Sequence, residues 1–215
     1  LGYQGNSCNT WNMIAHFYDG EQKYISSADS YFYRRIGVPD GAKYMKVTIL
    51  EESYPTDLSV QYFMVPTHCS FKNIKFENNR CVGLAQSAMK DMLVENCEFT
   101  KCGQSSAKCA YDAEDGWDMM QDVTFRKLNF HDNPNNDFLT CAGHNFVIED
   151  MIDGKVHFWE RTNSYVVRNC NNLSSAYLGH TSRKRSGYVR FCNNTINGNI
   201  NIEAAQENDT CSLTV

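Results

Sequence analysis

Residues 110–125 read AYDAEDGWDMMQDVTF, with four acids, a glycine and a tryptophan between Asp112 and Asp118. Paired carboxylates are what glycoside cleavage uses: one protonates the leaving oxygen, the other attacks or activates water. The two stand about 5–5.5 Å apart for retention and about 6.5–9.5 Å apart for inversion. Asp112 and Glu114 lie two residues apart on a strand-like run, which separates their backbones by about 6.5 Å, and Asp137 follows downstream. These three are the catalytic candidates. Asp115 and Trp117 complete the acidic edge as sugar contacts. A second group comprises His157, Trp159, Arg161, Tyr177, His180 and Arg183. Aromatic faces stack on sugar rings, and arginines bind hydroxyls and acidic substituents. Plainer readings stand beside these. The acidic stretch also fits a solvated loop, His131, His144 and His180 fit surface or backbone-bonded histidines, and Glu160 and Arg161 fit a simple ion pair.

The elements that position these residues are short and β-branched or aromatic. KYMKVTIL, MLVENCEF, HNFVIEDM and YVVRNC are each broken by Asn, Asp or Gly, a strand pattern. Laid beneath one another, six copies align: FKNIKF (71–76), VENCEF (94–99), FRKLNF (125–130), IEDMID (148–153), VRNCNN (167–172) and FCNNTI (191–196). Their first residues, Phe71, Val94, Phe125, Ile148, Val167 and Phe191, are separated by 23, 31, 23, 19 and 24 positions. A quasi-period of this length marks a solenoid. Regularly spaced leucines and period-3.6 faces are missing, which leaves an all-β, right-handed parallel β-helix of about six coils. The third position carries Asn73, Asn96, Asn169 and Asn193, with Lys127 and Asp150 as exceptions. Stacked amides form hydrogen-bonded ladders, and Asn tolerates the left-handed backbone of a tight bend. The exceptions predict a local interruption of that ladder. Ile74, Cys97, Leu128, Met151 and Cys170 form a stacked apolar column, followed by Phe76, Phe99 and Phe130.

Each copy is followed by a second short run: CVGL (81–84), CAYDAE (109–114), DFLTC (137–141), VHFWE (156–160), AYLG (176–179) and NINIE (199–203). Alternate side chains point in and out. With Tyr111, Phe138, Val156 and Ala176 inside, Asp112, Glu114, Asp137, His157, Trp159 and Tyr177 face outward. Coils stacked about 4.8 Å apart bring them into one outer strip, with Arg161, His180 and Arg183 on adjoining bends. The long interval of 31 residues contains the acidic stretch. EDGWDMMQ is therefore an insertion into a regular coil, and solenoids place insertions on one face, often the binding face.

Residues 1–60 lie outside the repeat and are expected to form a β-rich cap or separate small β element, with two strands around a PDG turn. The solenoid is expected over 61–205 and a last strand and tail over 206–215. The 215 residues carry a net charge of −5, which gives no electrostatic support to a nucleic-acid partner. No apolar run reaches the roughly 18 residues a membrane helix needs. Ten cysteines without C-x-x-C spacing argue against a zinc site and for reduced, buried thiols. No cofactor motif is present and no metal site is assigned. A chain opening at Leu1, without Met or a signal-like block, is expected of a piece of something longer.

The coil pattern resembles the pectate-lyase-like superfamily of right-handed β-helices. Within it, GVPDGAKYMKVTI, CSFKNIKFENNRCVGL and CGQSSAKCAYDAEDGWDMMQDVTFRKLNF are similar to tail-associated proteins encoded by phages and prophages of Gram-positive gut bacteria. The resemblance covers about residues 35–205. It implies a virion-tail or extracellular setting, a homotrimer, and binding of host cell-surface polysaccharide, sometimes with cleavage. Of the polygalacturonase motifs, Glu114-Asp115 and Gly143-His144 are faint echoes, and the Asn-Thr-Asp and Arg-Ile-Lys motifs are missing. The resemblance to calcium-dependent lyases implies calcium, with Asp112, Glu114 and Asp137 as its oxygen ligands, but their arginine motif has no match. The resulting expectation is a structural module that binds host-surface glycan. The alternative is a depolymerase, hydrolase or lyase, acting on bacterial-surface or plant polysaccharide.

Overall fold

A computed structural model describes residues 12–31, 36–50, 65–105, 109–113, 120–179, 186–202 and 210–214. The chain divides into two compact units, Leu1–Met64 and Val65–Val215. All regular structure among the described residues is β.

In the first unit, β1 (Asn12–Tyr18), β2 (Tyr24–Tyr31) and β3 (Tyr44–Ile49) form an antiparallel sheet in the order β2-β1-β3. Met13, Ala15 and Phe17 of β1 are buried, while Ile14, His16 and Tyr18 alternate onto the other face. The tight turn between β1 and β2 is held by Asp19, whose Oδ1 accepts the N–H groups of Glu21 and Lys23, each at 2.9 Å. The expected PDG turn exists, with Ala42 N–H donating to Pro39 O at 3.2 Å and Gly41 at φ +82°. It is not a hairpin turn, however. The strand before it is β2, and β3 pairs with β1 instead. β1 is the central strand, hydrogen-bonded to β2 along one edge and to β3 along the other.

The second unit is a parallel β-solenoid of about five turns. One row of strands comprises β4 (Thr67–Lys72), β7 (Met89–Glu95), β10 (Met120–Arg126), the ends of β12 (Asn136–Glu149) and β13 (Gly154–Arg168), β15 (Ser186–Cys192) and β17 (Thr210–Thr214). A second row comprises β5 (Lys75–Glu77), β8 (Glu98–Thr100) and β11 (Asn129–His131). The third comprises β6 (Leu84–Gln86), β9 (Cys109–Ala113), the starts of β12 and β13, β14 (Leu173–Leu178) and β16 (Ile200–Ile202).

The repeat read from the sequence is the register of the first row. Phe71 pairs with Val94, Val94 with Phe125, Phe125 with Ile148, Ile148 with Val167, and Val167 with Phe191. Two residues on, the chain turns in the left-handed conformation at every copy: Asn73, Asn96, Lys127, Asp150, Asn169 and Asn193 have φ between 53° and 57°. Asn96 Nδ2 donates to Asn73 Oδ1 at 2.7 Å. Lys127 and Asp150 cannot extend the amide ladder, yet the corner passes through them unbroken. Their N–H groups bond Glu149 O and Arg168 O as Asn96 N–H bonds Arg126 O. The backbone carries the corner, and asparagine lowers the cost of the bend.

Inside, Cys97, Leu128, Met151 and Cys170 are buried as a column. Phe76, Phe99 and Phe130 stack with successive centroids 4.6 Å apart. Gly154 continues that column, because a Cβ there would come within 2.9 Å of Phe130 Cβ and its φ is +135°. Cys69, Cys81, Cys97, Cys102, Cys170 and Cys192 form no disulfide. Cys97, Cys102 and Cys170 each point a thiol at the carbonyl two residues earlier, at 3.4 Å. Burial pushes the Cys170 thiol up to about 11 and raises Cys97, so neither is a ready nucleophile.

Outside the first row, the position after each alignment residue alternates in charge: Lys72, Glu95, Arg126, Glu149, Arg168. Lys72 Nζ lies 3.3 Å from Glu95, and Arg126 bridges Glu95 at 3.1 Å and Glu149 at 2.6 Å. Arg168 closes on Glu149 at 2.6 Å. Parallel stacking places like positions directly above one another, so alternation along the axis turns repulsion into pairing.

Candidate functional site

The third row positions the candidates. Its outward register runs Ala85, Asp112, Leu139, His157, Tyr177, Asn201. The inward neighbours Tyr111, Phe138, Val156 and Ala176 are buried, which fixes the alternation and turns His157 and Tyr177 out. The rings of these two lie with centroids 4.4 Å apart and planes tilted by 35°. Trp159, two residues further along β13, has its centroid 6.2 Å from His157 and remains 41% exposed. Gly179 makes room for the Tyr177 ring, since a Cβ there would meet Tyr177 Cε1 at 2.6 Å and Phe158 O at 2.2 Å. Burial lowers the His157 pKa from its ordinary value, so the imidazole is neutral at pH 7. The three rings form an aromatic platform across two adjacent rungs.

The carboxylates are placed differently from the expectation of an open strip. Asp112 lies in the outward register but is only 8% exposed, and Asp137 is 6% exposed. Asp137 Oδ1 accepts Asn133 Nδ2 and Oδ2 accepts the Lys155 N–H, both at 2.8 Å. Burial pushes its pKa up, against the pull of those two bonds. The same Asn133 amide bonds Cys102 N–H at 2.8 Å and Phe99 O at 3.1 Å. Asp137 thus pins the Asn133 turn to the start of β13, which is why it folds in rather than out. Leu139, in the outward register next to Asp112, is buried with Cys109 and Cys141 in a small cluster against Val82.

Arg161 lies in β13 opposite Ala142; its side chain is outside the described residues. So are Glu114, Asp115, Trp117, His180 and Arg183, and with them most of the acidic stretch. The platform therefore joins His157, Trp159 and Tyr177, while Asp112 and Asp137 occupy covered positions beneath Leu139 and the Asn133 turn. Sequence reading missed the Leu139 cluster and the seat at Gly179. Both become visible only when the second runs are stacked in register. Among the described residues, no group of three or more His, Cys, Asp or Glu is arranged to hold a metal ion. No helix among them is long and apolar enough to cross a membrane.

Fold and site define the class as a parallel β-solenoid carrying an outward aromatic platform. No protein-family model, curated protein or solved structure matches the chain.

Proposed function

We propose that the solenoid is a glycan-binding module, with His157, Trp159 and Tyr177 as its sugar platform. The observation that carries this reading is the ring cluster: His157 and Tyr177 at 4.4 Å, with Trp159 41% exposed beside them. A large ring left in water beside two others offers a face to a sugar ring, whose C–H groups stack on it. The neutral imidazole adds a donor and an acceptor for hydroxyls. Asp112 and Asp137 are nearly covered, and both oxygens of Asp137 are spent on structural bonds, so the proposal is binding without turnover. The resemblance of the coil wording to tail-associated proteins of phages and prophages supports a virion-tail or extracellular setting and a homotrimer.

The test uses the full chain on immobilised polysaccharide extracted from Gram-positive cell surfaces. Loss of one stacking ring is worth about 1 kcal/mol, so Trp159→Ala should bind several-fold more weakly, and Trp159→Ala/Tyr177→Ala at least tenfold. Unchanged affinity in the double variant sinks the platform. Release of reducing ends by the wild-type protein would replace binding by cleavage, and a monomer in light scattering would remove the trimer.

A further inference from the structure

The first unit carries a second aromatic surface. Tyr18 pairs with Tyr24 on one side and with Tyr44 on the other. Three tyrosines thus stand abreast across β2-β1-β3, on the face opposite buried Met13, Ala15 and Phe17. Tyr24 is 54% and Tyr44 51% exposed, while the central Tyr18 is half-buried. Tyr18 and Tyr24 meet edge to face, with centroids 5.9 Å apart and planes at 74°. Lys46 Nζ sits 4.9 Å from the centre of the Tyr18 ring, and Tyr24 O–H donates to Ser27 Oγ at 3.1 Å. Tyr18 is therefore a wedge held by its neighbours, and the outer two rings are the ones free to meet a ligand.

We propose that this tyrosine row is a second glycan-binding site, and that it takes neutral polysaccharide. Cross-strand tyrosine pairs also stabilise sheets; here the flanking rings in addition leave half their surface in water. The outer rings lie about 10 Å apart, two strand spacings, which suits a short run of sugars lying across the strands rather than a single one. Each ring gives an apolar face for sugar C–H groups and a hydroxyl for their oxygens. The charge balance selects the ligand. The chain carries −5, which disfavours a polyanion. Around the row the described residues carry Lys23, Lys43 and Lys46 against Asp19, Glu21, Asp29 and Asp40, so no field of one sign draws a polyion to it. The site is distinct from the solenoid platform and does not depend on it.

The net charge also provides the assay. At neutral pH the protein migrates toward the anode, and an uncharged polymer cast into a native gel retards it only by binding. The full chain is run in gels containing hydroxyethylcellulose, dextran or mannan, with polygalacturonate as the anionic control. Retardation of the wild type is expected in at least one neutral gel. Tyr24→Ala/Tyr44→Ala should weaken that retardation at least tenfold in apparent affinity, while Tyr24→Phe/Tyr44→Phe keeps most of it. Both residues are over half exposed, so an unchanged far-UV spectrum is expected and confirms folding. Ile152→Ala, at a half-exposed solenoid position outside both aromatic surfaces, should stay retarded in the gel where the tyrosine variant runs free. That pattern supports the tyrosine row whatever becomes of the solenoid platform. The proposal is overturned if no neutral gel retards the wild type, or if the alanine variant runs like it. It is also overturned if only the Trp159/Tyr177 variant loses binding, if polygalacturonate alone retards the protein, or if the tyrosine change alters the mass in light scattering.

Discussion

Replacing Glu149 by glutamine tests the stacked-column picture directly. The Glu149 side chain is 10% exposed and accepts from Arg126 Nε at 2.6 Å and from Arg168 Nη2 and Nε at 2.6 and 3.0 Å. Glutamine keeps the shape but removes the charge, and its amide can still accept one of these bonds. Hydrogen bonds to charged groups are worth about 1.5–3 kcal/mol each when the partner is buried. Both arginines are nearly half exposed and regain water when released. The cost for Glu149→Gln is therefore about 2 kcal/mol. In a protein of this size, that lowers the melting temperature by about 4–8 °C. Calorimetry at pH 7 is the assay, because it reads the heat of unfolding and the melting temperature together. Acid provides the control. Burial alone raises the Glu149 pKa, but Arg168 and Arg126 outweigh it and hold the carboxyl below its usual value. A depressed carboxylate stabilises fully above its unfolded pKa, about 4.3, and loses that contribution as pH falls through the folded value. The gap between wild type and variant should close on acidification. Equal melting temperatures at pH 7, or a gap that persists in acid, would refute the charged column.

Other consequences are open to measurement. Lys127→Asn places the residue type of four other corners, Asn73, Asn96, Asn169 and Asn193, at φ 54° and should stabilise the solenoid by about 1 kcal/mol, read as a higher urea midpoint at constant slope. Phe99→Ala empties the middle of a three-ring stack at a fully buried position and should cost about 3–5 kcal/mol, far more than Phe71→Ala at the half-buried first rung. His157 has its pKa lowered by burial, so stability should fall as pH drops below the ordinary histidine value of about 6.5 toward the folded one. His157→Gln should remove that loss, and the histidine ring resonances in NMR should titrate below the ordinary range; a normal titration would contradict it.

The architecture was written in the repeat. Phe71, Val94, Phe125, Ile148, Val167 and Phe191 could be aligned by eye, and their register is the first sheet. The alternating charges of Lys72, Glu95, Arg126, Glu149 and Arg168 stood one position along in the same alignment, but their meaning depends on stacking. The aromatic platform was legible for a related reason. Strand alternation alone turns His157 and Tyr177 outward once Val156 and Ala176 are taken as core.

Side-chain periodicity is a property of neighbouring residues, so the chain's own order dictates which face each strand buries and which residues share a column. Burial of an outward residue is not such a property. Asp137 is covered because the Asn133 turn and the Lys155 N–H reach it from different coils, and Leu139 because Val82, Cys109 and Cys141 converge on it. The tyrosine row likewise exists only because β1 lies between β2 and β3, a pairing that the PDG turn by itself suggested otherwise. Contacts across coils and strands join residues tens of positions apart, and only the folded chain decides which of them close over a site and which leave it open to solvent.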